Sequence, residues 1–323
     1  MAPIVLTDGL TKTFSVRVKR GRLRRERKDV EAVRSVHFTV EPGEIVGYLG
    51  PNGAGKSTTI KMLTGILAPS GGRLEVAGLV PLRDRVALAR RIGVVFGQRS
   101  QLWWDLPLQE SFQLLHHVYR TDPVRHRANA AELVELLDLH EQLAVPVRQL
   151  SLRQRMKGEL VAALLHDPAV LFLDEPTIGL DVVSKHAVRQ GLRQLVAERG
   201  VTVLLTTHDL IDVEELCPRV VIIDHGTVIY DGDLDELRTR HGRFRTLVVD
   251  LVGAVGPLVV PLADTVKVDG PRQWLRFDGG VTSAAAVLAA VSEQAEVRDL
   301  SVEETDIEEV VRRIYEGGTA GHA

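Results

Sequence analysis

EIVGYLGPNGAGKSTTIKMLTGI, residues 44–66, is the stretch on which the fold of the whole chain turns. EIVGYL is a short apolar run between turn residues, the pattern of a buried strand. KSTTIKMLT, from Lys56 to Thr64, reads as a helix that stops at Gly65. Between them, GPNGAGKS (50–57) matches G-x-x-x-x-G-K-[ST] in the strand–loop–helix context the motif requires. Gly50, Gly53 and Gly55 let backbone N–H groups curve around an anion, and the helix start adds the positive end of its dipole. Lys56 brings a compact charge to the β- and γ-phosphates of a nucleotide, and the Ser57 hydroxyl is a ligand for Mg²⁺.

Working outward, AVLFLDEP (169–176) is an apolar run that ends in two acids. A buried strand carries Asp174 to its carboxyl end, where open α/β sheets bind ligands. There Asp174 is suited to hold Mg²⁺ through water, and Glu175 to act as the general base on an attacking water. Gln98 follows GVVFG and His208 follows VTVLLTT, so both end strands in the same manner. The amide of Gln98 is a ligand for Mg²⁺ or the attacking water; His208 is placed to hydrogen-bond a γ-phosphate and sense its loss. Short apolar runs at 93–96, 169–174, 201–207 and 220–224 alternate with amphipathic segments, which predicts an α/β fold with a mainly parallel sheet. Residues 102–165 have a helical pattern without a strand and read as an α-helical insertion. Within it ANAAELVELLDL sets Ala131, Leu133, Leu136 and Leu137 near one face.

The 323 residues are 45% hydrophobic and carry a formal charge of −3, so neither disorder nor a global excess of positive charge directs the reading. A single cysteine, Cys217, excludes an intramolecular disulfide framework and reads as a packing residue. His116 and His117 lack partners at metal spacing, and no zinc is expected. The uncharged stretch 251–263 is broken by Gly253, Gly256, Pro257 and Pro261, and falls short of the about 20 apolar residues of a spanning helix. The N-terminus has no signal-peptide pattern, so the expected location is the cytoplasm, with any membrane role through a partner. RVKRGRLRRERK (17–28) holds eight Lys/Arg and one Glu, a local charge of +7. Lacking apolar periodicity, it reads as an exposed loop or flexible insert, either facing anionic lipid head groups or an acidic face of a partner, or solvated without a partner. Residues 3–16 and VEAVRSVHFTV (30–40) read as strands. The last stretch, 243–316, reads as a small α+β accessory domain that closes on a helix at 306–315 capped by Asp306.

Taken in order, these motifs resemble the nucleotide-binding subunit of ATP-binding cassette (ABC) transporters over residues 4–240. Gly50 to Thr58 match the Walker A loop, Gln98 the Q-loop, LSLRQ (150–154) the signature, LFLDEP (171–176) Walker B, GLD (179–181) the D-loop and His208 the switch histidine. The resemblance implies a P-loop cassette whose parallel core sheet is joined by an antiparallel β subdomain and the helical insertion. It implies ATP and Mg²⁺ as ligands, with catalysis by Glu175, His208 and Gln98 and metal ligation by Ser57, Gln98 and Asp174. Nucleotide contacts would come from Phe14 stacking on adenine, from Gly50, Asn52, Gly53, Ala54, Gly55, Lys56, Ser57 and Thr58, and from Ser151, Arg153, Gln154 and Asp181. It also implies a head-to-tail dimer in which each ATP lies between Walker A of one copy and the signature of the other. GVVFGQRSQLWWDLP (93–107) and DEPTIGLD (174–181) are similar to the drug-resistance-related exporters, whose partner is an ABC-2-type membrane permease. That partner would hold the chain at the cytoplasmic face of the cell membrane.

The signature departs from the family's Leu-Ser-Gly-Gly-Gln, with Leu152 and Arg153 in place of the glycines. Ser151 remains able to cap the following helix. Arg153 has three open roles: repelling Arg155 and Lys157, meeting the γ-phosphate, or pointing to solvent. Trp103 and Trp104 either pack the helical insertion or line a groove for a cytoplasmic helix of the membrane partner. Two other readings stay open: a soluble ABC-type ATPase acting on nucleic acid or ribosomes, and a cassette that binds ATP with low turnover. The +7 segment favours the first of these; a single cassette without a long coiled coil or a basic–aromatic groove stands against it, so nucleic acid is not the expected partner.

Overall fold

The computed structural model of the chain describes residues 2–20, 24–97, 99–241, 244–253, 256–304 and 310–311, with the backbone alone for 17–20, 24–26, 239–241 and 304. The chain divides into two compact units, Met1–Asp231 and Gly232–Ala323.

In the first unit, β1 (Val5–Arg20) pairs with β2 (Arg24–Val40). After β3 (Ile45–Leu49) and α1 (Lys56–Leu63), β4 (Gly71–Val76) joins the other side of β1, giving an antiparallel sheet in the order β2–β1–β4. Segment 17–28 was expected to be a loop; its described residues instead lie on paired strands, out to Arg20 opposite Arg24. The ladder that starts at Val5 opposite Val40 propagates outward residue by residue, and β-branched Val16 and Val18 favour its continuation despite the charge.

The chain continues through α2 (Arg85–Ala89) and β5 (Ile92–Phe96) into a wholly helical stretch. This comprises α3 (Leu108–Tyr119), α4 (Pro123–Leu136), two short 3₁₀ turns and α5 (Leu152–Leu164). Asp122 caps α4 by accepting from the N–H groups of Val124 and Arg125, and Pro123 supplies a first residue with no N–H to satisfy. The helix buries His126, Leu133 and Val134, with Leu137 buried at its C-cap; Ala131, expected on the same face as Leu133, is exposed. Ala131 stands about 200° around the helix from Leu133, whereas Leu137, four residues on, returns to the Leu133 face.

The core sheet follows with β6 (Val170–Asp174), α6 (Val182–Arg199), β7 (Thr202–Thr206), α7 (Leu210–Leu216), β8 (Arg219–Asp224) and β9 (Thr227–Asp233). Its order is β5–β6–β7–β3–β8–β9, with the first five strands parallel. Val170, Leu171, Phe172 and Leu173 are fully buried, as expected of a parallel strand covered on both faces. The register puts Phe96, Asp174, Thr206 and Tyr48 in one row across four strands. Every loop leaving those carboxyl ends therefore opens on the same edge.

The second unit begins at Gly232, earlier than the 240–243 boundary expected from sequence, and includes α8 (Leu234–His241). β10 (Phe244–Leu251), β11 (Asp264–Asp269), β12 (Arg272–Asp278), α9 (Ala284–Ser292) and β13 (Val297–Glu304) follow. The strands form an antiparallel sheet, β11–β12–β10–β13. Leu247, Val249, Leu275 and Phe277 pack against Val287 and Val291 of α9 in a core of their own. The expected closing helix at 306–315 lies outside the described residues except for Val310 and Val311. Among the described residues no helix is long and apolar enough to cross a membrane.

Candidate active site

The loop between β3 and α1 is built by close backbone contact. A Cβ on Gly50 would stand 2.4 Å from the Ile223 carbonyl oxygen, and one on Gly55 2.5 Å from that of Ala32. Gly55 is also left-handed, with φ of 108°, at the position that caps α1. Only glycine serves there, so the motif is a packing requirement as well as a ligand requirement. Ala54 is buried, and its carbonyl accepts from Gly226 N–H at 3.0 Å, tying the loop to the β8–β9 turn. Asn52, Gly53 and Ser57 are exposed and Thr58 half-buried.

Lys56 is 8% exposed. Its ammonium donates to the carbonyl of Gly50 and, at 3.3 Å, to that of Pro51. Burial lowers its pKa, and the nearby charges of Glu175 and Asp174 oppose that shift. The cleft beside it is lined by Ser57 from α1, Gly97 and Arg99 from the loop after β5, and Asp174 and Glu175 from the end of β6. Three separate segments thus converge on one hollow containing a hydroxyl, two carboxylates, a guanidinium and the ammonium of Lys61.

Asp174 accepts a hydrogen bond from the Thr206 hydroxyl at 2.5 Å, which fixes it against β7. Glu175 sits in the left-handed region, with φ of 57°. A non-glycine residue held there stores strain of about 1–3 kcal/mol, and such strain concentrates at functional sites. The Thr206 carbonyl, accepting from Glu175 N–H at 2.9 Å, helps hold it. Glu175 Oε2 meets His208 Nδ1 at 2.5 Å, so the two strand-end residues form a pair.

The loop that carries His208 is anchored from below. Asp212 is fully buried; it accepts from Arg189 Nε at 2.6 Å, from the Thr207 hydroxyl at 3.2 Å and from the Thr177 hydroxyl. Asp209 receives Lys185 Nζ at 2.5 Å and lies 3.6 Å from Arg189. Against the upward push of its own burial, these cations bring the Asp209 pKa below its ordinary value. Sequence reading missed this network, and also Arg99 and Thr206. None carries a motif signature, although Thr206 and Thr207 immediately precede His208.

Other expected residues lie apart from the cleft lining. Ser151 caps α5 by accepting from Gln154 N–H at 3.2 Å, while the Gln154 side chain accepts from Ser151 N–H at 2.9 Å, a reciprocal capping box. Arg153 is half-buried in the first turn, where burial and then the Arg153 charge lower the pKa of Lys157. Asp181 caps α6 through Ser184 N–H at 2.9 Å and the Ser184 hydroxyl at 2.6 Å, which hold its carboxyl below the usual range. Phe14 lies on β1 opposite Val30, 36% exposed, with Lys12 Nζ 5.1 Å from its ring centre. Gln98 lies outside the described residues. Trp104 is 51% exposed, with the Arg155 guanidinium 5.5 Å from its ring centre, in a second hollow that also includes Arg99 and buried Glu159. Cys217 is buried behind β3, and burial raises its thiol pKa.

The ABC transporter family model matches residues 33–178. The daunorubicin resistance ATP-binding protein DrrA3 of Streptomyces coeruleorubidus is 36% identical over 87% of this chain and 90% of its own length. Nod factor export ATP-binding protein I of Paraburkholderia xenovorans is 35% identical over 83% of this chain and 87% of its own. Among solved structures, a dimeric ATP-binding cassette in a post-hydrolysis state with ADP and Pi superposes with a TM-score of 0.59 at 26% identity, covering 71% of this chain and 98% of that one. With a Walker loop facing a strand-end carboxylate pair, and with relatives aligned over most of its length, the chain belongs to the ABC transporter family as one of its ATP-binding, ATP-hydrolysing subunits.

Proposed function

We propose that the chain is the ATPase of an exporter, driving a separate ABC-2-type membrane permease through ATP-dependent pairing of two copies. The observation that carries this reading is the convergence of Ser57, Asp174 and Glu175 on one cleft beside Lys56. The word export in the name of the Nod factor relative, beside the drug-resistance role in the name of DrrA3, supports the direction of transport.

Ser57 and Asp174 offer a hydroxyl and a carboxylate oxygen, the hard donors that suit Mg²⁺, and the family resemblance adds the Gln98 amide as a further ligand. When bound, Mg²⁺ neutralises charge on the β- and γ-phosphate oxygens. The Lys56 ammonium binds the same phosphates, exchanging loop carbonyls for them. Glu175 accepts the proton of the attacking water, and His208, in contact with Glu175 Oε2, orients that carboxylate and answers to the γ-phosphate. Asn52, Gly53, Ala54, Gly55 and Thr58 cradle the phosphates, and Phe14 stacks on adenine. Ser151, Arg153, Gln154 and Asp181 complete the site across the head-to-tail pair. The hollow with Trp104 and Arg155 receives a cytoplasmic helix of the permease, which holds the subunit at the cytoplasmic face of the membrane.

Co-expression with a polytopic membrane protein encoded beside its gene tests the assignment. The two should co-purify in mild detergent, and Trp104→Ala with Arg155→Ala should break the complex without altering ATP affinity. Failure of every neighbouring membrane protein to bind, with full ATP turnover by the free chain, would overturn the exporter reading.

A further inference from the structure

β4 pairs with β1 only as far as Thr11, and beyond that row β1 and β2 continue alone as a two-stranded ribbon. Arg17 is opposite Arg27, Lys19 opposite Arg25, and Arg20 opposite Arg24. Like charges set directly opposite destabilise a strand pair, and an isolated ribbon is marginal in water. Strand alternation puts Arg17, Lys19, Arg25 and Arg27 on one face, with Asp29 at its base, and Val16, Val18, Arg20, Arg24, Glu26 and Lys28 on the other, so the ribbon is cationic on both faces and most densely on the first. One face of the ribbon is thus a block of four cations in a chain whose total charge is −3. Arg27 lies 3.6 Å from Asp29, and both are well exposed. The exporter ATPase role assigned above makes no use of this feature.

We propose that the ribbon is a membrane-contacting arm whose four-cation face binds the anionic head groups of the bilayer. The chain belongs to a family that works on membranes, yet no described helix can span one. A cationic face gives it an attachment of its own, additional to any permease. The partner must recognise positive charge without base stacking, because residues 15–29 contain no aromatic side chain. Lipid phosphates meet that requirement, and a like-charged ribbon that is costly in water is relieved when it lies against them. The arm rests on membership of the transporter family, and its test is independent of nucleotide chemistry.

The experiment is co-sedimentation of the full chain with vesicles of equal parts phosphatidylglycerol and phosphatidylcholine, with pure phosphatidylcholine vesicles as the neutral control. The chain should bind the mixed vesicles, ignore the neutral ones, and release as salt is raised. Replacing all four cations (Arg17→Ser, Lys19→Ser, Arg25→Ser, Arg27→Ser) should weaken binding more than about tenfold and leave Mg-ATP affinity intact. A second variant that keeps the charge (Arg17→Lys, Arg25→Lys, Arg27→Lys) should bind as the wild type does. Equal binding to neutral vesicles, or unchanged binding by the serine variant, would overturn the arm. So would loss in the lysine variant, or stronger binding to duplex DNA or RNA than to mixed vesicles at the same salt. Failure of vesicle binding while ATP still drives pairing would remove the arm and leave the ATPase assignment standing.

Discussion

At the scale of single residues, Arg153 is the most informative departure. It occupies the first turn of α5, which has no acidic residue, and a cation there opposes the positive end of the helix dipole. Lys157 lies close enough to feel its charge. An anion facing that turn would relieve both conflicts, and the γ-phosphate of an ATP held by the partner copy is the anion the proposed pair supplies. Charge-assisted hydrogen bonds of this kind contribute roughly 1.5–3 kcal/mol. Arg153→Ala should therefore weaken ATP-driven pairing by about one to two orders of magnitude, with ATP binding to the monomer unchanged. Arg153→Gly, which permits closer backbone approach, should lose less. Sedimentation with Mg-ATP in a Glu175→Gln background measures both; equal pairing by all three forms would make the arginine a bystander. Ser151, Lys56 and Glu175 were legible from sequence because their roles are local: a cap, a loop and a strand end. The Glu175–His208 contact was not, since no spacing rule links residues on different strands.

At the scale of elements, the Arg189–Asp212 pair joins α6 to the loop carrying His208 and, through Thr177, to the loop after Glu175. Both side chains are almost wholly buried. Arg189→Ala leaves Asp212 charged and unpaired, at an expected cost of about 3–5 kcal/mol; urea unfolding should show this. The double replacement Arg189→Met with Asp212→Leu should recover much of that stability. If the network aligns His208 with Glu175, the double variant will still turn over ATP more slowly while binding Mg-ATP normally. Recovery of both stability and turnover would reduce the network to a structural role. The elements legible in sequence were those with periodicity: the buried runs of β3, β5, β6, β7 and β8, and the helices between them. The outer ribbon was misread because its strands are dictated by pairing inherited from the base of the sheet, while its composition matches a solvated loop. Arg189 and Asp212 are distant in sequence and meet only once α6 and α7 are packed.

For the whole molecule, the cassette architecture follows from the order of its motifs along the chain, and the row of Phe96, Asp174, Thr206 and Tyr48 explains how those motifs reach one edge. The limit of the first unit was less legible. Nothing in the composition around Asp231 marks a linker, and β9 runs through the division. Because the site residues are confined to Met1–Asp231, a chain ending at His241 should bind Mg-ATP with the affinity of the full chain, as isothermal titration would report. The central claim is that Lys56 and its loop bind ATP, that Glu175 hydrolyses it, and that two copies close on it. Analytical ultracentrifugation of Glu175→Gln with Mg-ATP tests all three together. The account predicts a doubling of mass with ATP but not ADP, abolished when Lys56→Ala is added. A mass indifferent to ATP, or equal pairing by the Lys56→Ala double variant, would contradict it.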